Sequence, residues 1–403
     1  MIPLEKPEQR FPTARQLWAA MDRHSLANGT TAWLLAVTGP FVVMLGVAVN
    51  GDMQPEDINS WVLGAYAFGG ILSVILSLLY RMPMGMAWTI PGVILLGGAL
   101  DHLPFQEAVG AFYVTAALMT VLGITGWVQW LVRHIPLGIV MAMVAGVFLP
   151  FVLKIVLAFA DNWIVALTTV GVFVAVSFYK SVSRFVPPIV LAIVAGGIAA
   201  VMTGGLSFAE IPSLSVVSPV LYQPVFTWRA TLELVIPLTI TVVGIHNLQG
   251  FAICEANGYN PPRNTLTTVC GLGSIAYAMV GSVPTCVTGP SNGVLNTSGE
   301  KERRYAGGVV FGVLMILFGL FAPFTTALAL ALPASFIGMV GGLAMFEVLR
   351  SAFLNAFGGK LSIGALTTFV VTVADQPIAN IGAPFWAIVF GLAVSYLFEK
   401  ADL

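Results

Sequence analysis

From residue 31 onward this chain is a run of apolar stretches parted by short polar gaps, and that pattern leaves few folds open. A helix crosses a bilayer core with about 20 apolar residues. No water reaches that depth, so each backbone N–H and C=O must pair within the protein, which a helix does along its own length. Fourteen stretches can be counted: 31–49, 61–79, 84–100, 106–132, 136–160, 163–180, 187–204, 229–254, 265–281, 283–298, 305–331, 333–353, 361–376 and 383–399. The composition agrees, with 58% hydrophobic and 9% charged residues. A soluble domain carries about 25% charged residues. The expected fold class is an all-α polytopic membrane protein with 14 transmembrane segments.

Charge places the ends. Fourteen crossings leave both termini on one side, and with both in the cytoplasm only Lys154 and Arg229 of the 17 basic residues fall at outer ends. Cytoplasmic loops carry such an excess. The first thirty residues are polar and read as a cytoplasmic segment, not a signal peptide. Leu17, Trp18 and Met21 could form the apolar stripe of a surface helix, or the segment could be a mobile tail. The 205–228 stretch, with Pro212, Pro219 and Pro224, forms an extracellular or periplasmic linker between halves 31–204 and 229–403. A net charge of −1 gives no sign of nucleic acid as a partner, and none is expected. Cys254, Cys270 and Cys286 sit in apolar stretches and read as small buried hydrophobes, with no metal-ligand spacing.

The halves repeat. Gly319, in Leu314-Met315-Ile316-Leu317-Phe318-Gly319, follows Gly123 of Leu118-Met119-Thr120-Val121-Leu122-Gly123 by 196 residues. Met339-Val340-Gly341-Gly342 follows Met143-Val144-Ala145-Gly146 by the same 196. Seven segments per repeat is odd, so the second copy starts from the opposite side and the repeat is inverted. The third and tenth stretches are both broken, at Thr89-Ile90-Pro91-Gly92 and at Thr288-Gly289-Pro290-Ser291-Asn292. Such matched breaks point to a transporter's binding site. Proline suits the first helical turn, where its missing N–H needs no partner. Two half-helix starts facing each other would offer free N–H groups and positive dipole ends to an anion, without buried Arg or Lys. The plain alternative is a pair of proline kinks.

The eighth stretch carries Gly244-Ile245-His246-Asn247-Leu248-Gln249-Gly250. His246 is the titratable residue placed nearest mid-membrane, where a polar side chain is a functional hypothesis by default. The bland reading is a neutral histidine bonded between helices. Gln249, three residues on, shares its face better than Asn247 does. Glu347 and Arg350 are spaced for a local ion pair, and Glu255, Asp375, Asp101 and His102 read as structural or solvated. No nucleophile–base pair or phosphate loop is evident, so the chain is expected not to be an enzyme and to need no cofactor beyond a coupling proton.

Several runs resemble the benzoate:proton symporter family: Ser60-Trp61-Val62-Leu63, Leu76-Ser77-Leu78-Leu79-Tyr80-Arg81-Met82-Pro83, Ala87-Trp88-Thr89-Ile90-Pro91-Gly92, Glu107-Ala108-Val109-Gly110-Ala111-Phe112, Leu122-Gly123-Ile124-Thr125-Gly126-Trp127 and Gly258-Tyr259-x-Pro261-Pro262. The family is similar to the nucleobase and sulfate transporter superfamily of seven-plus-seven inverted repeats. That resemblance implies a core of segments 1–4 and 8–11 moving, elevator-like, against a gate of segments 5–7 and 12–14. It also implies short antiparallel strands before the half-helices of segments 3 and 10, an inner-membrane location and often a homodimer. Nucleobase carriers of this type place carboxylates where His246 and Pro290 stand here.

The expected function is proton-coupled uptake of benzoate or a similar small aromatic carboxylate. Its carboxylate would lie at the N–H groups near Gly92 and Ser291, and its ring against Trp88 or Phe41. Thr89, Pro91, Gln249, Thr288, Gly289, Pro290 and Asn292 complete the expected site, with His246 as the proton carrier. A carrier for another small anion or a nucleobase-like heterocycle is the alternative, and a channel the more distant one.

Overall fold

The computed structural model describes residues 4–7, 9–128, 136–179, 187–204, 214–376, 378 and 381–399. The end of the 106–132 stretch, residues 205–213 of the linker and residues 400–403 lie outside these. Seven described helices are long and apolar enough to cross a bilayer: Arg23–Asn50, Pro55–Tyr80, Phe105–Thr125, Leu137–Asp161, Trp228–Ala256, Lys301–Leu320 and Ala334–Phe357. Five shorter apolar helices accompany them: Ile90–Leu100, Trp163–Phe178, Pro188–Met202, Ser362–Ala374 and Ala383–Phe398. The chain is a helical membrane protein. The 283–298 stretch is mostly not helical; it holds the strand Thr285–Val287 and a helix of 7 residues, Gly289–Leu295.

The first helix starts earlier than hydropathy suggests and is interrupted at Thr38, between Arg23–Val37 and Gly39–Asn50. Pro40 removes a donor from the first turn of the second piece. The Thr38 hydroxyl turns back to donate to the Leu34 carbonyl at 2.7 Å. A similar interruption at Phe321, just before Pro323, separates Tyr305–Leu320 from Ala322–Leu330. Leu63–Phe68, Thr231–Val235 and Ile240–Asn247 are wound as π-helix, a form that often marks functional sites. His246 and Asn247 lie in the last of these.

The amino-terminal segment is ordered where it is described. Thr13 and Gln16 form a capping box on the helix Ala14–Ala20. Leu17 and Met21 pack against Ala20, Tyr305 and Ala306, whereas Trp18 is exposed. The Glu5 carboxylate accepts from the Thr265 N–H at 2.8 Å and the Asn264 N–H at 3.1 Å, and so caps the helix Arg263–Met279 from outside it.

Glycines set the closest helix approaches. A methyl on Gly123 would come within 2.5 Å of the Thr268 nitrogen, and one on Gly319 within 2.6 Å of the Ala67 nitrogen. These two glycines are 196 residues apart, the offset noted in the sequence. Each seats the helix that carries it on another helix, Arg263–Met279 in one case and Pro55–Tyr80 in the other. Those two helices flank the strands described next.

Candidate functional site

The two breaks lie side by side. Met86–Trp88 pairs antiparallel with Thr285–Val287, setting Met86 opposite Val287, Ala87 opposite Cys286 and Trp88 opposite Thr285. The ladder gains one bond at each end: Thr89 N–H to the Pro284 carbonyl at 3.3 Å, and Thr288 N–H to the Gly85 carbonyl at 3.0 Å. Thr288 follows Thr89 by 199 residues, and Pro284 follows Gly85 by the same 199. The two terminal bonds are therefore equivalent, and a local twofold passes through the Ala87–Cys286 pair.

Strand backbone at this depth lasts only if its outward N–H groups find acceptors. Ser73 accepts from Met86 N–H at 2.8 Å, and Ser274 from Thr285 N–H at 3.0 Å. Each serine donates back to the carbonyl four residues earlier, Gly69 at 2.8 Å and Cys270 at 2.6 Å. Asn247 Oδ1 accepts from Val287 N–H at 2.8 Å. Asn292 joins the breaks: its Oδ1 accepts from Gly85 N–H at 2.9 Å, and its amide donates to the carbonyls of Gly85 and Thr288. The sequence reading missed Ser73 and Ser274. Their signal was a serine in each preceding helix, 13 and 11 residues ahead of the strand residue it holds.

The first break is closed. Thr89 is the N-cap of Ile90–Leu100, and its hydroxyl accepts from Gly92 N–H at 3.2 Å. That donor, expected to face an anion, is thus already taken. Pro91 and Gly92 are buried. Trp88 packs edge-on against Tyr66 at 6.2 Å between ring centroids. Tyr66 and Phe318 are 4.8 Å apart, and Phe41 meets Phe318 at 5.0 Å. Phe41 and Trp88 were expected near the site; Tyr66 and Phe318 complete a cluster of four rings.

The second break is polar and open. Thr288 is the N-cap position of Gly289–Leu295 but forms no side-chain cap. Among the described residues the hydroxyls of Thr288 and Ser291 and the amide of Gln249 have no hydrogen-bond partner. Gln249 lies directly over Gly289, where any Cβ would overlap its amide. Gln249 and Pro290 are exposed, while Ser291 is buried. Both ring nitrogens of His246 are buried without a partner. An unmet buried polar atom costs about 1–3 kcal/mol, a cost that falls here on the two His246 ring nitrogens. The Ile240–Asn247 turn that carries His246 contacts the Thr285–Val287 strand and the Ile90–Leu100 helix.

Of the remaining acids, Glu255 pairs with Arg263 and Glu347 with Arg350, each at 2.5 Å. His102, read as a loop residue, bonds to Glu233 at 3.0 Å, a buried carboxylate that sequence reasoning passed over. Among the described residues no group of three or more metal-ligating side chains occurs.

A helical membrane protein whose two broken helices start from one crossed pair of strands has the fold of a membrane transporter. The transmembrane domain of a cyanobacterium bicarbonate transporter, BicA, superposes with a TM-score of 0.62 at 16% identity, covering 92% of this chain and 97% of that one. The overall structure of SLC26A9 gives 0.61 at 13% identity, covering 93% of this chain and 64% of that one. The chain belongs to the benzoate membrane transport protein (BenE) family, whose profile matches residues 19–397. It is 26% identical over 395 residues to the benzoate membrane transport protein of Acinetobacter baylyi (strain ATCC 33305 / BD413 / ADP1), covering 96% of this chain and 98% of that one. It is 27% identical over 375 residues to the inner membrane protein YdcO of Escherichia coli (strain K12), covering 91% and 94%. It is a membrane transporter, not an enzyme.

Proposed function

We propose that this protein takes up benzoate or a similar small aromatic carboxylate together with protons, across the inner membrane, with both termini in the cytoplasm. Its fourteen segments form two inverted repeats, 31–204 and 229–403. A core (segments 1–4 and 8–11) slides, elevator-like, against a gate (segments 5–7 and 12–14), and two copies form a homodimer. The matched work of Gly123 and Gly319, and of Ser73 and Ser274, supports the repeat.

The unpartnered polar set at the second break carries the reading of the site. The carboxylate accepts from the Ser291 N–H, the Thr288 and Ser291 hydroxyls and the Gln249 amide, and the ring lies toward Trp88. A lone imidazolium in an apolar setting is costly, but one beside a carboxylate is compensated. His246 therefore takes a proton when the anion binds, and charge and proton travel together. Purified protein in liposomes should take up labelled benzoate faster with an inward proton gradient, and uptake indifferent to that gradient would sink the coupling. His246→Ala that keeps both uptake and its pH dependence would remove His246 from the mechanism.

The polar, open character of the second break favours a second reading, a carrier for another small anion or a nucleobase-like heterocycle. A thermal-shift panel of carboxylates, nucleobases and inorganic anions separates the two. Stabilisation by uracil or xanthine alone would replace the first. Flux that stays linear and never saturates would instead mark a channel.

A further inference from the structure

Glu233 is a carboxylate with 4% of its surface exposed, on the first turns of Trp228–Ala256 and far along that helix from His246. Its Oε2 meets His102 Nε2 at 3.0 Å, and His102 is 28% exposed, so the pair runs from solvent to the interior. Its Oε1 faces Gly382, where a methyl would come within 2.6 Å. Gly382 is the N-cap of Ala383–Phe398, has no side chain to cap that helix, and is followed by Pro384. Pro384 has no N–H and the Phe385 N–H bonds the Gly382 carbonyl at 3.3 Å, so what favours a carboxylate there is mainly the positive end of the helix dipole.

In the arrangement proposed above, Glu233 and His102 belong to the core, Gly382 belongs to the gate, and the contact closes the outer side. We propose that the Glu233–His102 pair is a proton-binding latch that holds the outer side shut and releases it when it takes up one proton from outside. With a neutral imidazole the pair carries one negative charge facing the helix start. One added proton makes it neutral overall and removes most of that attraction.

Other charges around the pair are few. Asp101 ends the Ile90–Leu100 helix and Asp375 ends Ser362–Ala374. Glu107, at the start of Phe105–Thr125, is held by Arg229 at 3.2 Å and by the Thr227 hydroxyl. The first turn of Ala383–Phe398 brings no charged side chain. Asp101 and Asp375 lie on the histidine's side.

The inference rests on the sides and bodies assigned above, but its test does not need the substrate. Hydrogen–deuterium exchange of the peptide spanning 381–390, corrected for intrinsic rates, should quicken at least threefold in wild type between pH 8 and pH 6. Glu233→Gln removes the charge for good, so exchange is fast at both pH values. His102→Gln keeps a hydrogen-bond donor but does not titrate in this range, so exchange stays slow at both. A pair that merely holds structure would loosen in both variants, and that outcome overturns the latch, as does a wild type unchanged between pH 8 and pH 6. Liposome uptake is the second readout: the dependence on outside pH should flatten in both variants, at a high rate in Glu233→Gln and a low one in His102→Gln. Loss of gradient-driven uptake with the exchange pattern intact would instead fault the coupling assigned to His246.

Discussion

At the first break Thr89 caps its helix, Gly92 is buried, and Trp88 leads into four packed rings. At the second, Thr288 caps nothing, Gln249 and Pro290 stand open, and His246 keeps two ring nitrogens unmet. The two share Thr-x-Pro, one strand register and a local twofold. The two breaks therefore share one backbone scaffold, and in the reading proposed above side-chain chemistry divides the labour: apolar wall at one break, polar contacts at the other. The helix at the second break has only 7 residues, so its dipole is short.

The largest expected effect tests whether the breaks depend on each other. Asn292→Ala orphans the Gly85 N–H and removes a donor from two carbonyls; at about 1–3 kcal/mol for each buried orphan, the folded peak on size exclusion in detergent should largely vanish. A wild-type thermal midpoint would show that the ladder stands without it. Next comes the division of labour itself. Gln249→Ala and Ser291→Ala should each lower uptake below saturation about 10- to 100-fold, since hydrogen bonds to a charged group are worth about 1.5–3 kcal/mol. Thr89→Val should lower stability by about 1 kcal/mol, the usual cost of a lost cap, and slow uptake less than either. If Thr89→Val slows uptake as much as Ser291→Ala, the contrast between the breaks fails. A smaller effect is expected from Gly289→Ala, whose methyl displaces the Gln249 amide: a higher KM for uptake with an unchanged thermal midpoint.

The smallest effect lies away from the breaks. The Ser25 N–H holds the Asp22 carboxyl below the usual carboxylate range, with burial opposing. A lowered carboxyl adds stability above its ordinary value near 3.8, and that stability is lost as pH falls through the lowered value. Asp22→Asn should cost a few tenths of a kcal/mol near neutral pH and flatten the acid side of a thermal-stability profile, because asparagine still caps.

Much of this was legible in order along the chain. Hydropathy located the helices, and two prolines located the breaks, because a bilayer leaves the backbone no other partner than itself. Element ends were less legible. The 283–298 stretch is apolar enough for a helix, yet pairing with Met86–Trp88 draws Thr285–Val287 into a strand and leaves a helix of only 7 residues. The matched serines Ser73 and Ser274 were a weak signal, because a lone serine in an apolar helix commonly bonds its own turn, and only the strand beside it gives its second bond a purpose. His102 looked like a solvated loop residue, since nothing local announces a carboxylate 131 residues away.

The sequence by itself determined that the chain is helical and membrane-bound, that some of its runs recur at one offset, and where its backbone must break. Those properties follow from local hydropathy, proline chemistry and matched offsets. The tertiary structure alone decided which groups at the breaks are free. Hydrogen-bond satisfaction is a contest that distant residues enter: Asn292 claims the Gly85 N–H and Asn247 the Val287 N–H, while both His246 ring nitrogens stay unpartnered.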